Sequence, residues 1–133
     1  MESLHLAVLP SAQREVWQSL HQVPRSFVLY GGTAIALQLG HRQSIDFDFF
    51  CAEPFDDATF SQSEDLLHGA ITIRKSPGTW TVRVDRGGPV MLSFLAAPFV
   101  RQLRTPLSPK GSPCRIASLL DLGAAKASVV QQR

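Results

Sequence analysis

Two acids and two glycines carry the chemistry legible in this chain. In Ile45-Asp46-Phe47-Asp48-Phe49, apolar and acidic residues alternate. At the two-residue period of a strand, both carboxylates point to one face and the rings to the other. Two carboxylates on one strand face stand close enough to share a divalent cation, and Mg²⁺ takes oxygen ligands of this kind. Upstream, Gly31-Gly32 interrupts an apolar run. Two residues without Cβ permit a tight turn and close backbone approach to a ligand. A helix starting there would aim backbone N–H groups and its positive dipole end at phosphate. Metal carboxylates beside a phosphate cradle are what phosphoryl or nucleotidyl transfer requires. An Asp-x-Asp alone also fits an ordinary exposed strand; its union with Gly-Gly favours the chemical reading.

Those residues need elements to hold them. Phe27-Val28-Leu29-Tyr30 reads as a buried strand. Thr33 to Leu39 is a short helix rich in Ala and Leu, with Gly40 placed to end it. Arg42 precedes the acids and either contacts nucleotide phosphate or holds the acid-bearing strand by hydrogen bonds. Ser44 reads as turn chemistry and His41 as a solvated loop residue.

The stretch from Gly31-Gly32-Thr33-Ala34 through Arg42-Gln43-Ser44-Ile45-Asp46-Phe47-Asp48-Phe49 resembles the first motif of the AbiEii/AbiGii-type toxin nucleotidyltransferases. That family sits within the DNA polymerase β-like nucleotidyltransferase superfamily. The resemblance implies that Gly31, Gly32 and Thr33 hold the triphosphate and that Asp46 and Asp48 hold the metals, Mg²⁺ or Mn²⁺. A second resemblance lies at Ala117-Ser118-x-x-Asp121-Leu122-x-x-x-Lys126. There Lys126 falls on the family's catalytic lysine, a point charge for triphosphate; the alternative is an exposed helix lysine. Two features depart from the family. Where a third carboxylate is expected on a later strand, the chain reads Val90-Met91-Leu92-Ser93-Phe94, and serine is no base near neutral pH without an activating partner. Asp85 is a nearby acid at the end of the neighbouring strand. The chain also stops at Arg133, short of the further helices usual in the family.

The remaining sequence is consistent with one domain spanning residues 1–133. The apolar fraction is 44% and mean hydropathy is +0.04, as in a soluble globular protein. No apolar run approaches the ~20 residues of a membrane helix, and no export signal opens the chain, so the expected location is cytoplasmic. A net charge of +2 is too small to mark a nucleic-acid binder by itself. Cys51 and Cys114 lack Cys-x-x-Cys spacing, and the four histidines are scattered, which argues against a zinc site.

A helix is expected from Ala12 to about Gln22, with Val16, Trp17, Leu20 and Val23 facing the core. Another is expected from Asp57 to about Leu67, burying Phe60 and Leu67. Ala70–Lys75, Thr79–Asp85 and Val90–Ala96 read as an antiparallel meander. Phe99 to Pro113 reads as a loop carrying Arg101, Arg104 and Lys110. Cys114–Ala117 reads as a short strand. Ser118-Leu119-Leu120-Asp121 begins a last helix whose apolar side is Leu119, Leu122, Ala125, Ala127 and Val130. Apolar surface beside that helix is expected to drive self-association or partner binding.

The expected fold is α/β: a minimal nucleotidyltransferase-like domain with a small mixed or antiparallel sheet flanked by helices. The expected function is metal-dependent NMP transfer from an NTP to a hydroxyl of tRNA, other RNA or another acceptor, in a toxin with a cognate antitoxin. The alternative is a degenerate relative that binds nucleotide or a protein partner without turnover. Nucleotidylation of an antibiotic would share the chemistry and differ in acceptor.

Overall fold

The alternation that marks the strands also decides which side of the sheet is dry. In a computed structural model, residues 4–41, 43, 45–98, 105–109 and 111–124 are described. Five strands, β1 (Val28–Tyr30), β2 (Asp46–Cys51), β3 (Ile71–Ser76), β4 (Thr79–Asp85) and β5 (Pro89–Ala96), form one mixed sheet in the order β1-β2-β5-β4-β3. β3, β4 and β5 are the expected antiparallel meander. β5 then lies parallel to β2, so that the returning strand enters the sheet centre beside the acids. On one face Phe47, Phe49, Val82, Val84, Leu92 and Phe94 are buried. Phe94 is the hub of their packing, stacked on Phe49 at 5.5 Å and edge-on to Phe60 at 4.8 Å and Phe27 at 5.3 Å.

Helix α1 (Ser11–Ser19) continues as a single tight turn over Leu20–Gln22, and Val16, Trp17, Leu20 and Val23 are buried as their spacing predicts. Helix α2 (Gly31–Leu39) starts at the first glycine of the pair, two residues earlier than its composition indicates. It ends at Gly40, whose left-handed backbone (φ 65°) lets its N–H reach Ala36 O. Ala34, Ala36 and Leu37 of α2 join the same core.

The expected helix from Asp57 to Leu67 does not form. Asp57–Phe60 is a short 3₁₀ turn opened by a reciprocal Asp56–Thr59 cap, and residues 61–69 continue as turns. Tertiary hydrogen bonds replace the helical ones. Ser63 Oγ donates to Gln22 O at 2.6 Å, Leu66 N donates to Gln22 Oε1 at 2.8 Å, and Arg86 donates to the carbonyls of Asp65 and Leu66 at 3.0 Å. Phe60 is buried as expected, but Leu66 takes the core position expected of Leu67.

Beyond the sheet, Ile116 bridges Leu29 on one side and Leu107 on the other, so the short strand expected there is a single bridge. Residues 119–124 are helical, and Ser118 caps them by accepting from Asp121 N at 3.1 Å. Leu122 is buried, whereas Leu119 (45% exposed) and Leu120 (52% exposed) face outward, which corrects Leu119 as a core position. Ala125, Lys126, Ala127 and Val130 lie outside the described residues, as do Arg101, Arg104 and Lys110. Among the described residues no helix is long and apolar enough to cross a membrane.

Cys51 and Cys114 are free thiols. Burial raises the pKa of Cys51 and pushes Cys114 up to about 12. Since the thiolate is the nucleophile, alkylation of Cys114 by iodoacetamide at pH 8 should run on the order of a thousandfold slower in the folded protein than after denaturation. Mass spectrometry of protein quenched during labelling reads this directly, and fast native labelling at Cys114 would contradict the placement.

Candidate active site

Asp46 and Asp48 leave the same face of β2, opposite the buried rings of Phe47 and Phe49. Asp46 is exposed and Asp48 half-buried. Burial, and secondarily the nearby charge of Asp46, raises the pKa of Asp48 above the ordinary carboxylate range. A divalent cation between the two would offset both causes.

The first turn of α2 is set against Asp48. Gly31 has φ +77°, and a Cβ added there would lie 2.6 Å from Asp48 Oδ2. Only glycine allows the helix start to lie this close to the carboxylate, and it also relieves the left-handed backbone. The Gly-Gly turn and the Asp-x-Asp strand, 15 positions apart from Gly31 to Asp46, therefore meet in space.

Two further residues hold β2 in place. Thr33 is 1% exposed and its hydroxyl donates to Asp46 O, so its side chain is turned to the strand rather than to open space. Gln13 of α1, also buried, donates to Ile45 O at 3.1 Å and to Pro89 O at 3.4 Å, tying the starts of β2 and β5 together. Sequence reasoning missed Gln13. A polar residue interrupting the buried face of an amphipathic helix was the available signal.

β5 brings Ser93 directly opposite Asp48 in register, on the same face, and Ser93 Oγ lies 3.1 Å from Thr81 Oγ1 of β4. Ser93 thus occupies the place beside the acids that its sequence position implied. Asp85, by contrast, accepts from Gly87 N and Gly88 N at 3.2 Å and serves its own turn. Among the described residues no group of three or more acidic, His or Cys side chains forms a metal cluster. Tyr30, the neighbour of Asp48 on β1, stacks on Phe50 at 4.7 Å, and burial, then Asp121, raises its pKa. Asp121 accepts from Ser118 Oγ at 2.8 Å, and Gln38 Nε2 donates to Ala117 O at 2.9 Å. The start of the second motif thus docks beside the first. Arg42, Ser44 and Lys126 fall outside the described residues.

A cavity of about 570 Å³ opens at the β3–β4 turn, lined by Phe55, Lys75 and Trp80 among others. Its lining includes none of Gly31, Gly32, Thr33, Asp46, Asp48 or Ser93. Its acids are committed, Asp56 to the Thr59 cap and Asp57 to Lys75 Nζ at 2.9 Å.

Comparison with known proteins bears on this arrangement. The family model for the nucleotidyl transferase AbiEii toxin, of a type IV toxin–antitoxin system, matches residues 17–119. The chain belongs to the AbiEii family. The match spans both glycines, both acids and the whole sheet. An uncharacterized protein of Aquifex aeolicus is 35% identical over 81 residues, covering 58% of this chain and 39% of its own length. A crystal structure from H. pylori, named as a candidate nucleotidyltransferase, superposes with a TM-score of 0.60 at 16% identity, over 84% of this chain and 55% of that one. At that identity it shows the fold, a nucleotidyltransferase-type mixed sheet. The chain spans about two fifths of the curated relative and just over half of the solved one.

Proposed function

We propose that this AbiEii-family domain transfers a nucleotide from an NTP to an acceptor hydroxyl, with RNA, including tRNA, as the acceptor class. The observation that carries this reading is the contact of the α2 start with Asp48, which joins phosphate cradle and carboxylate pair in one site. Backbone N–H groups at Gly31 and Gly32 would hold the outer phosphates. Thr33 acts here as a positioning residue for Asp46. Arg42 and Lys126 would add charge to the triphosphate. Asp46 and Asp48 would hold Mg²⁺ or Mn²⁺, which when bound supplies charge neutralisation at the α-phosphate. In the transfer, the acceptor oxygen bonds to the α-phosphorus and the α–β phosphoanhydride bond breaks. Pyrophosphate leaves and the hydroxyl proton passes to solvent. Family membership supports a cognate antitoxin.

A second reading, binding without turnover, rests on Ser93 standing opposite Asp48 where a third carboxylate would complete the site. One experiment separates the two: incubation with each labelled NTP, Mg²⁺ or Mn²⁺, and a total tRNA pool, for wild type and Ser93→Asp. Wild type should transfer label slowly, and Ser93→Asp faster by on the order of 10²-fold, the lower range of general-base contributions. Label on no acceptor with either protein would leave the binding reading in possession.

A further inference from the structure

The register of the sheet extends each acid into a row that ends in an arginine. Asp46 lies beside Met91, and Met91 beside Arg83. Asp48 lies beside Ser93, then Thr81, then Arg74. All of these residues share the open face, because Phe47, Val82 and Leu92 between them are buried on the other. Arg74 and Arg83 are exposed, and neither has a carboxylate partner among the described residues, where the ion pair is Lys75–Asp57. At about 4.8 Å per strand, Arg83 stands about 10 Å and Arg74 about 14 Å across the sheet from the acids.

The two sides of Asp48 are therefore unlike. The α2 start lies on the β1 side and the arginines lie on the β4–β3 side. Attacking and leaving oxygens in phosphoryl-type transfer are roughly in line across phosphorus. With pyrophosphate leaving on the α2 side, the attacking hydroxyl must approach over β5. We propose that the open face of β5, β4 and β3 seats the acceptor, and that Arg83 and Arg74 bind successive phosphates of a single-stranded polynucleotide ending at the acids. The assignment rests on the nucleotidyltransferase reading of Asp46, Asp48 and Gly31. One small anion cannot reach both arginines while presenting a hydroxyl to the acids; a chain of repeating phosphates does. Ser93 and Thr81, between the acids and Arg74, offer hydroxyls to the sugar-phosphate chain. A cationic acceptor, as many antibiotics are, would meet two repelling charges on the same path.

The test needs no turnover. Anisotropy of an end-labelled single-stranded RNA with a free terminal hydroxyl is titrated at several salt concentrations. Three proteins are compared: wild type, Arg74→Ala/Arg83→Ala, and Arg14→Ala on α1 as a control. Calorimetry with Mg²⁺ and NTP is run alongside. The double variant should bind RNA at least about tenfold more weakly, and its log–log salt slope should flatten by about 1.4, the ~0.7 per phosphate contact of single strands. Its NTP affinity should be unchanged, and Arg14→Ala should match wild type. An unchanged affinity and slope in the double variant overturns the assignment, as does an equal loss in Arg14→Ala. Absence of RNA binding by wild type with intact NTP binding also overturns it, while leaving the nucleotidyl site standing. Absence of NTP binding with intact, arginine-dependent RNA binding would do the reverse.

Discussion

The Asp46→Asn/Asp48→Asn protein is expected to lose metal-dependent NTP binding by more than about 100-fold, because even residues behind a metal's ligands are worth about 10–100-fold in affinity. The same protein should be more stable than wild type. Asp48 has its pKa raised by burial and by Asp46. A carboxyl with a raised folded pKa holds its proton more tightly folded than unfolded, so ionisation favours the unfolded chain. That penalty grows as pH rises from the ordinary carboxylate value through the raised folded pKa. Asparagine removes it at nearly constant shape. At pH 7, calorimetry with metal and thermal melts without it should therefore move in opposite directions, affinity down and Tm up. Equal NTP affinity in both proteins would remove these acids from the site, and a lower Tm in the variant would contradict the electrostatic account of Asp48.

Gly31→Ala should cost both stability and binding. The left-handed backbone at Gly31 penalises a side chain by roughly 1–3 kcal/mol. The new methyl would also stand 2.6 Å from Asp48 Oδ2, well inside contact distance, so either the helix start or the carboxylate must move. For a domain of this size the strain alone corresponds to a Tm lower by roughly 5 °C or more. NTP affinity should fall at least about tenfold because cradle and acid can no longer meet. A double-mutant cycle isolates the contact. With Asp48→Ala in the background, Gly31→Ala should retain the backbone cost and lose the clash, leaving a coupling of about 1 kcal/mol or more. Strict additivity would mean that Gly31 and Asp48 do not touch.

Much of this molecule follows from local patterning. Alternation in Thr79–Asp85 and Asp46–Phe50 marks strands and sorts residues by face, because a strand's two sides are set by its own covalent geometry. The same holds for the buried stripe Val16, Trp17, Leu20 and Val23, for the Gly40 helix end, and for the Ser118 cap. The approach of Gly31 to Asp48 was legible because short motifs carry their geometry with them. The segment from Asp57 to Gly69 was not, since Gln22, Ser63 and Arg86 outbid its helical hydrogen bonds from other parts of the chain. Nor could any pattern show that β5 enters parallel to β2, since pairing partners are chosen by the closing of the whole sheet. That single choice puts Ser93 beside Asp48 and lines Arg83 and Arg74 up with the acids. Residue types and faces are local properties of the sequence; which face-sharing residues become neighbours is decided only when distant strands pack.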